Sequence, residues 1–233
     1  MSALEKALRA IDYSKLTDEF LAHPLAKEIV TGCAQKISLW SNALRDADPS
    51  CLANPFLAEM QRACHDIAAL FALALYVPSA AAMRSMAETC LYYTYYRTHS
   101  VELVTLASGS DHYISKKEML EFHKIHTPTY RSHAHAIGIP SKFNDWYSEL
   151  SSIVHGQLPG KWGKRLSLAD TKHSVNTLDD ALKKLQDGVE AIHLLLCLTA
   201  GNDLWSRFHP KVKTALLKGM KAEHRGLLGL DGA

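Results

Sequence analysis

Apolar residues recur at steps of three and four along nearly the whole chain, and strict alternation is scarce. That period predicts an all-α protein. A short N-terminal helix is expected over Ala3–Ile11, then a longer one from Pro24 to Arg45 with Ile29, Ile37 and Leu44 inward. The loop DADPSCLANP ends it. A third helix is expected over about Pro55–Tyr76, with Phe56, Met60, Cys64, Ile67, Leu70 and Leu75 as its apolar positions. Pro78 suits a first helical turn, so the next helix is expected from there to about His99. Ser115 and Glu118 form a capping-box pair for a helix over about Lys116–Ile125.

Thr127–Pro140, with two prolines and a glycine, reads as irregular. Ser141 reads as the cap of a helix over Lys142–His155, which Gly156 stops. A long polar and basic loop follows over Gly156–Asn176. The last long helix is expected over about Leu178–Phe208, with Gly188 and Gly201 as weak points, and Pro210 opens a final helix. Long helices joined by short turns imply a helical bundle of about four long core helices with extra N- and C-terminal helices. The 233 residues are expected to form a single helical domain, its core at about residues 24–208 and a basic C-terminal helix at 209–233.

Composition narrows the picture. Hydrophobic residues make up 47% and charged residues 21%, enough for a real core and against disorder. The net charge of +2 neither demands nor excludes nucleic acid. From His209 onward, Lys211, Lys213, Lys218, Lys221 and Arg225 face only Glu223 and Asp231, so the tail carries +3. A solvated helix face is its simplest reading. The five cysteines, Cys33, Cys51, Cys64, Cys90 and Cys197, are scattered and form no CxxC pair. Reduced, mostly buried thiols and a cytoplasmic location are expected. The N-terminal MSALEKALRAIDYSKLTDEF has no apolar signal core.

The most telling stretch is FALALYVPSAAAMRSMAETCLYYTYY, from Phe71 to Tyr96, whose only charges are Arg84 and Glu88. Pro78, Ser79 and this charged pair argue against a membrane span. A helix apolar on every side is expected inside the fold. A spacing of four puts Arg84 and Glu88 on one face, where they can pair. Such a pair is either a structural tie or the polar wall of a site.

NDWYSELSSIVHG carries a second constellation. Trp146, Leu150, Ile153 and Val154 form its apolar face, and Tyr147, Ser151 and His155 form a row along one flank. His155 falls in the last turn, where the helix terminus favours its protonated form. A histidine there suits general acid or base chemistry near neutral pH. The following QLPGKWGKR offers Lys161, Lys164 and Arg165 to a phosphate and Trp162 to a base, although an ordinary surface loop has the same composition.

RSxxE at Arg84–Glu88, followed by YxxLSxxVH at Tyr147–His155, resembles a group of bacterial helical proteins of unknown function distantly related to the HEPN superfamily. The likeness covers roughly Pro55–Gly156 and the long helix after it. HEPN domains are helical bundles that often dimerise, and many are metal-independent ribonucleases of toxin and antiphage systems. Their usual motif places an arginine, a polar residue, four further residues and a histidine on one helix. Here Glu149 and Leu150 stand where that arginine and polar residue belong. The resemblance therefore implies that Arg84, from the other helix, supplies the positive charge.

On that reading His155 is the general acid/base, Arg84 stabilises charge on the phosphate, Glu88 orients Arg84, and Tyr147 and Ser151 place the substrate. RNA or a nucleotide is the implied partner, with a protein from the same operon and a second copy of the chain as further ones. No cofactor and no membrane are expected. The alternative is a non-catalytic interaction or regulatory module whose polar residues form one structural network.

Other chemistry has less support. Glu190 and His193 have the ExxH spacing of di-iron bundles, but no second ExxH is present. His65-Asp66 lacks the partners of a metal phosphohydrolase. His123, His126, His133 and His135 cluster around the irregular segment and read as local exposed histidines. No GxSxG, GxGxxG or zinc-ligand spacing occurs.

Overall fold

A computed structural model describes residues 1–109, 113–163 and 167–230. Those residues form an all-α helical bundle. In chain order the helices are α1 (Ala3–Arg9), α2 (Tyr13–Ala22), α3 (Ala26–Ala47), α4 (Asn54–Ala72), α5 (Tyr76–Tyr96), α6 (Ser100–Ala107) and α7 (Lys116–His126). They continue with α8 (Tyr130–Ile137), α9 (Ile139–Val154), α10 (Val175–Leu198), α11 (Ala200–Leu204), α12 (Pro210–Leu217) and α13 (Ala222–Leu227). The long helices α3, α4, α5 and α10 make the core with α9 beside them, and α10 packs on α3, α5 and α9. No described helix is long and apolar enough to cross a membrane.

Helix α5 lies at the centre because its surface is apolar nearly all round. Tyr76, Ala80, Met83, Met86, Ala87, Cys90, Leu91, Tyr93 and Tyr96 are all buried on it. It begins where α4 is made to stop. The Ala74 N–H bonds the Phe71 carbonyl at 3.0 Å and the Leu75 N–H bonds the Leu70 carbonyl at 2.8 Å. This is a Schellman closure with Ala74 in the left-handed region at φ 54°. It ends α4 four residues before the expected Tyr76 and leaves Pro78 in the first turn of α5.

Helix α9 is fixed to α10 by one close contact. A Cβ on Gly188 would lie 2.3 Å from Trp146 Cζ2. Glycine is thus needed for the indole to reach the α10 backbone, where Trp146 Nε1 donates to the Lys184 carbonyl at 2.7 Å. Gly188 is a seat rather than a weak point. Gly201 does lie by a break: α10 ends at Leu198, and Thr199 takes φ −117°, ψ −108° before α11. The expected single helix over Leu178–Phe208 is therefore divided.

Further departures have local causes. Thr127–Pro140 is mostly helical, because Pro128 precedes α8 and Pro140 occupies the first turn of α9, so both prolines bound helices instead of breaking one. Gly138, at φ 72°, ends α8 and opens α9, and Ser141 caps nothing. The capping box at Ser115 and Glu118 forms as expected. Helices α2 and α6 lie where the apolar pattern was too short to read.

Candidate active site

Helices α5, α7 and α9 meet around one polar crevice. Successive turns of α5 contribute Arg84 and Glu88, whose ion pair measures 3.2 Å. The seating of Trp146 on α10 turns the next residue, Tyr147, towards α5. There the Tyr147 hydroxyl accepts from Arg84 Nη2 at 2.9 Å and donates to Glu88 Oε1. Two turns further on, His155 caps α9, its N–H bonded to the Ser151 carbonyl at 2.9 Å. Its Nε2 lies 3.2 Å from Arg84 Nη1. A guanidinium only donates, so in this contact Nε2 is the acceptor.

The helix is buried as expected, but its ion pair is only partly so. The Arg84 side chain is 19% exposed and that of Glu88 34%, while His155 is exposed. The pair is partly open to solvent, beside the exposed His155. Burial opposes the charge of Arg84, but hydrogen bonds with Tyr147 and Glu88 more than offset it and hold the guanidinium above its usual range. Burial, then the bond to Glu88, raises the Tyr147 phenol, so it stays protonated.

A residue that the sequence did not point to completes the group. Lys116, the first residue of α7, holds Nζ 4.3 Å over the Tyr147 ring and donates to Asn144 Oδ1 at 2.9 Å. Arg84 Cζ also lies over that ring, at 4.9 Å. Burial and then the nearby Arg84 push the Lys116 amine down. Two fixed cations thus face the single carboxylate of Glu88, and the crevice has a positive excess.

The other sequence candidates are arranged differently. Ser151 Oγ donates to the Tyr147 carbonyl at 2.8 Å, which leaves its oxygen able to accept. Lys161 is paired with Glu149, which also binds Lys184 of α10. Burial opposes the charge of Glu149, but both lysines hold its carboxyl below the usual range. The residue at the HEPN arginine position therefore ties the loop after α9 to α10. Trp162 is 4% exposed and donates from Nε1 to Asp180 at 2.8 Å. Its ring is packed inside the loop, which corrects the expectation that it stacks on a base. Lys164 and Arg165 lie outside the described residues.

The histidine readings also change. His123 is 2% exposed, not a surface residue. Its Nε2 lies 2.9 Å from Thr94 Oγ1 and its Nδ1 2.9 Å from Thr127 Oγ1. Thr94 already donates to the Leu91 carbonyl, so it accepts from Nε2. His193 is buried with Nδ1 accepting from Trp40 at 2.9 Å, while its sequence partner Glu190 pairs with Lys36. Asp66 pairs with Arg62. Among the described residues no group of three or more His, Cys, Asp or Glu is placed to hold a metal ion.

No family model, no curated protein and no solved structure matches the chain. The two motifs Arg84–Glu88 and Tyr147–His155 come together between α5 and α9.

Proposed function

We propose that the crevice is a phosphodiester site through which a HEPN-like protein binds or cleaves RNA or a nucleotide, with Arg84 and His155 as its working pair. The contact between Arg84 Nη1 and His155 Nε2 supports this reading most. It puts a permanent cation and an imidazole nitrogen that accepts from it side by side at an exposed edge. A phosphate oxygen that takes the Arg84 N–H frees His155 Nε2 to remove a proton from a ribose 2′-hydroxyl. That oxygen attacks the adjacent phosphorus, the P–O5′ bond breaks, the leaving 5′-oxygen takes a proton from water, and a 2′,3′-cyclic phosphate forms with the 2′-proton held on His155. Arg84 and Lys116 stabilise the charge that develops on the phosphate. Glu88 and Tyr147 hold the guanidinium in place. This chemistry uses the nucleophile already in RNA. We further propose a cytoplasmic homodimer serving in toxin or antiphage defence, after the resemblance, with a partner protein from the same operon.

A second reading has its own observation. Arg84 Nη2, the Tyr147 hydroxyl and Glu88 Oε1 are bonded to one another and Arg84 Nη1 to His155, as in a structural network of an interaction module. Cleavage of total RNA and tRNA by purified protein, with and without EDTA and beside His155→Ala, separates the two. Activity that survives EDTA and disappears in the variant supports the nuclease. A folded, inactive wild-type protein that also fails to retain RNA sinks the phosphodiester reading and favours the network.

A further inference from the structure

Helices α7, α8 and α9 enclose an open groove of ≈ 1520 Å³. Its floor is apolar, built from residues such as Leu120, Phe143 and Leu195. Its rim carries Lys116, Lys117, Lys124 and Arg131, with His126 and His135 among them. All but Lys116 are exposed. Among the lining residues Glu121 alone is acidic, and Lys124 engages it at 2.9 Å. The rim is therefore strongly cationic over an apolar bed.

The groove adjoins the Arg84–Tyr147 group through two shared residues. Lys116 lines the groove and also lies over the Tyr147 ring. Phe143 lines it too and stacks on Tyr147, with centroids 6.3 Å apart and planes at 17°. A ligand in the groove is thus led towards Arg84 and His155 by Lys116.

We infer that this groove binds single-stranded RNA on one side of the phosphate held at Arg84 and His155, an inference that rests on the phosphodiester reading above. Its volume exceeds the roughly 300–1,000 Å³ of a small-ligand pocket, so it suits several nucleotides rather than one. Exposed lysines and an arginine match the regularly spaced phosphates of a backbone. The apolar floor matches base faces, which a single strand exposes and a duplex hides.

The test uses a fluorescent, uncleavable 2′-O-methyl single strand of about ten nucleotides, read by anisotropy across a salt series. The variant is Lys117→Glu/Arg131→Glu, two exposed positions outside the Arg84–Glu88–Tyr147–His155 network. We expect it to bind the strand roughly tenfold more weakly at about 0.1 M salt, with a shallower salt dependence. Its affinity for a nucleoside 3′-monophosphate stays that of wild type, and the corresponding duplex binds wild type less well than the single strand. If the variant binds the strand like wild type while the mononucleotide still depends on Arg84 and His155, the groove is overturned and the site reading stands. If wild type binds neither ligand, both fall. If the groove takes oleate in a manner lost in the variant but binds no strand, it belongs to an anionic amphiphile and the inference is wrong.

Discussion

Arg84 and His155, separated by 71 positions in the chain, meet at 3.2 Å at the rim of a crevice between α5 and α9. Two interactions on other faces create this contact. Trp146 is seated on the α10 backbone at Gly188. Glu149 ties Lys161 and Lys184, fixing the start of the loop that follows His155. The crevice is assembled by the packing of α9 on two neighbours, so its geometry and the stability of that packing are linked.

His155→Ala removes an exposed ring and one hydrogen bond to Arg84. We expect a loss of no more than about 1 kcal/mol and a nearly unchanged melting curve. Activity on RNA should fall by roughly two orders of magnitude or more, as for removal of a general base. Calorimetry beside the cleavage assay checks both. A large drop in melting temperature would place His155 in the structural network instead.

Arg84→Ala leaves Glu88 and Tyr147 half-buried without their cation. A cost of about 1–3 kcal/mol is expected, below that of breaking a fully buried pair because the group is partly open to water. Arg84→Lys should recover most of the stability, since the charge returns, but little of the activity, since the fork that reaches both His155 and Tyr147 does not. Denaturant unfolding and RNA binding measured on both variants give the comparison.

Gly188→Ala forces a methyl group into the Trp146 ring. We expect about 1–3 kcal/mol of destabilisation from overpacking. RNA activity should fall as well, although Gly188 touches no residue of the crevice, because displacement of Trp146 carries Tyr147 and His155 with it. A variant with reduced stability but wild-type activity at low temperature would show that α9 positions the crevice without this seat.

Acid should weaken the fold over a defined range. Burial holds His123 down at about 4 and His193 down at about 3, from an ordinary value of 6.5. Above pH 6.5 both are neutral folded or unfolded and contribute no pH dependence. As pH falls below that value the unfolded chain takes up protons that the folded chain refuses, so stability is lost down to about pH 4, and further for His193. Each histidine contributes a slope of about 1.4 kcal/mol per pH unit within its range. Urea midpoints at pH 7.5 and pH 5 test the sign, and equal midpoints would contradict it.

Much of this was legible in the chain. Arg84 and Glu88 stand out because they are the only charges in an apolar run, and the helical period alone puts Tyr147 and His155 on one flank. Lys116 was not legible, since its approach to Tyr147 depends on how α7 packs. Trp162 was misjudged by its basic neighbours, although a tryptophan's own apolar area argues for burial. Helix α8 was obscured because Pro128 and Pro140 look like breakers until their places outside and at the start of helices are known. His123 looked exposed among other histidines, because its contact with Thr94 on α5 is not visible in the local sequence.

The most direct test of the central claim is a histidine side-chain NMR titration with a nucleoside 3′-monophosphate. We expect the His155 ring nitrogen signals to move in a saturable way as phosphate replaces its bond to Arg84, while the buried His123 and His193 signals stay fixed. No movement of His155 at millimolar-scale ligand, in protein whose signals show it folded, would contradict a phosphodiester site in this crevice.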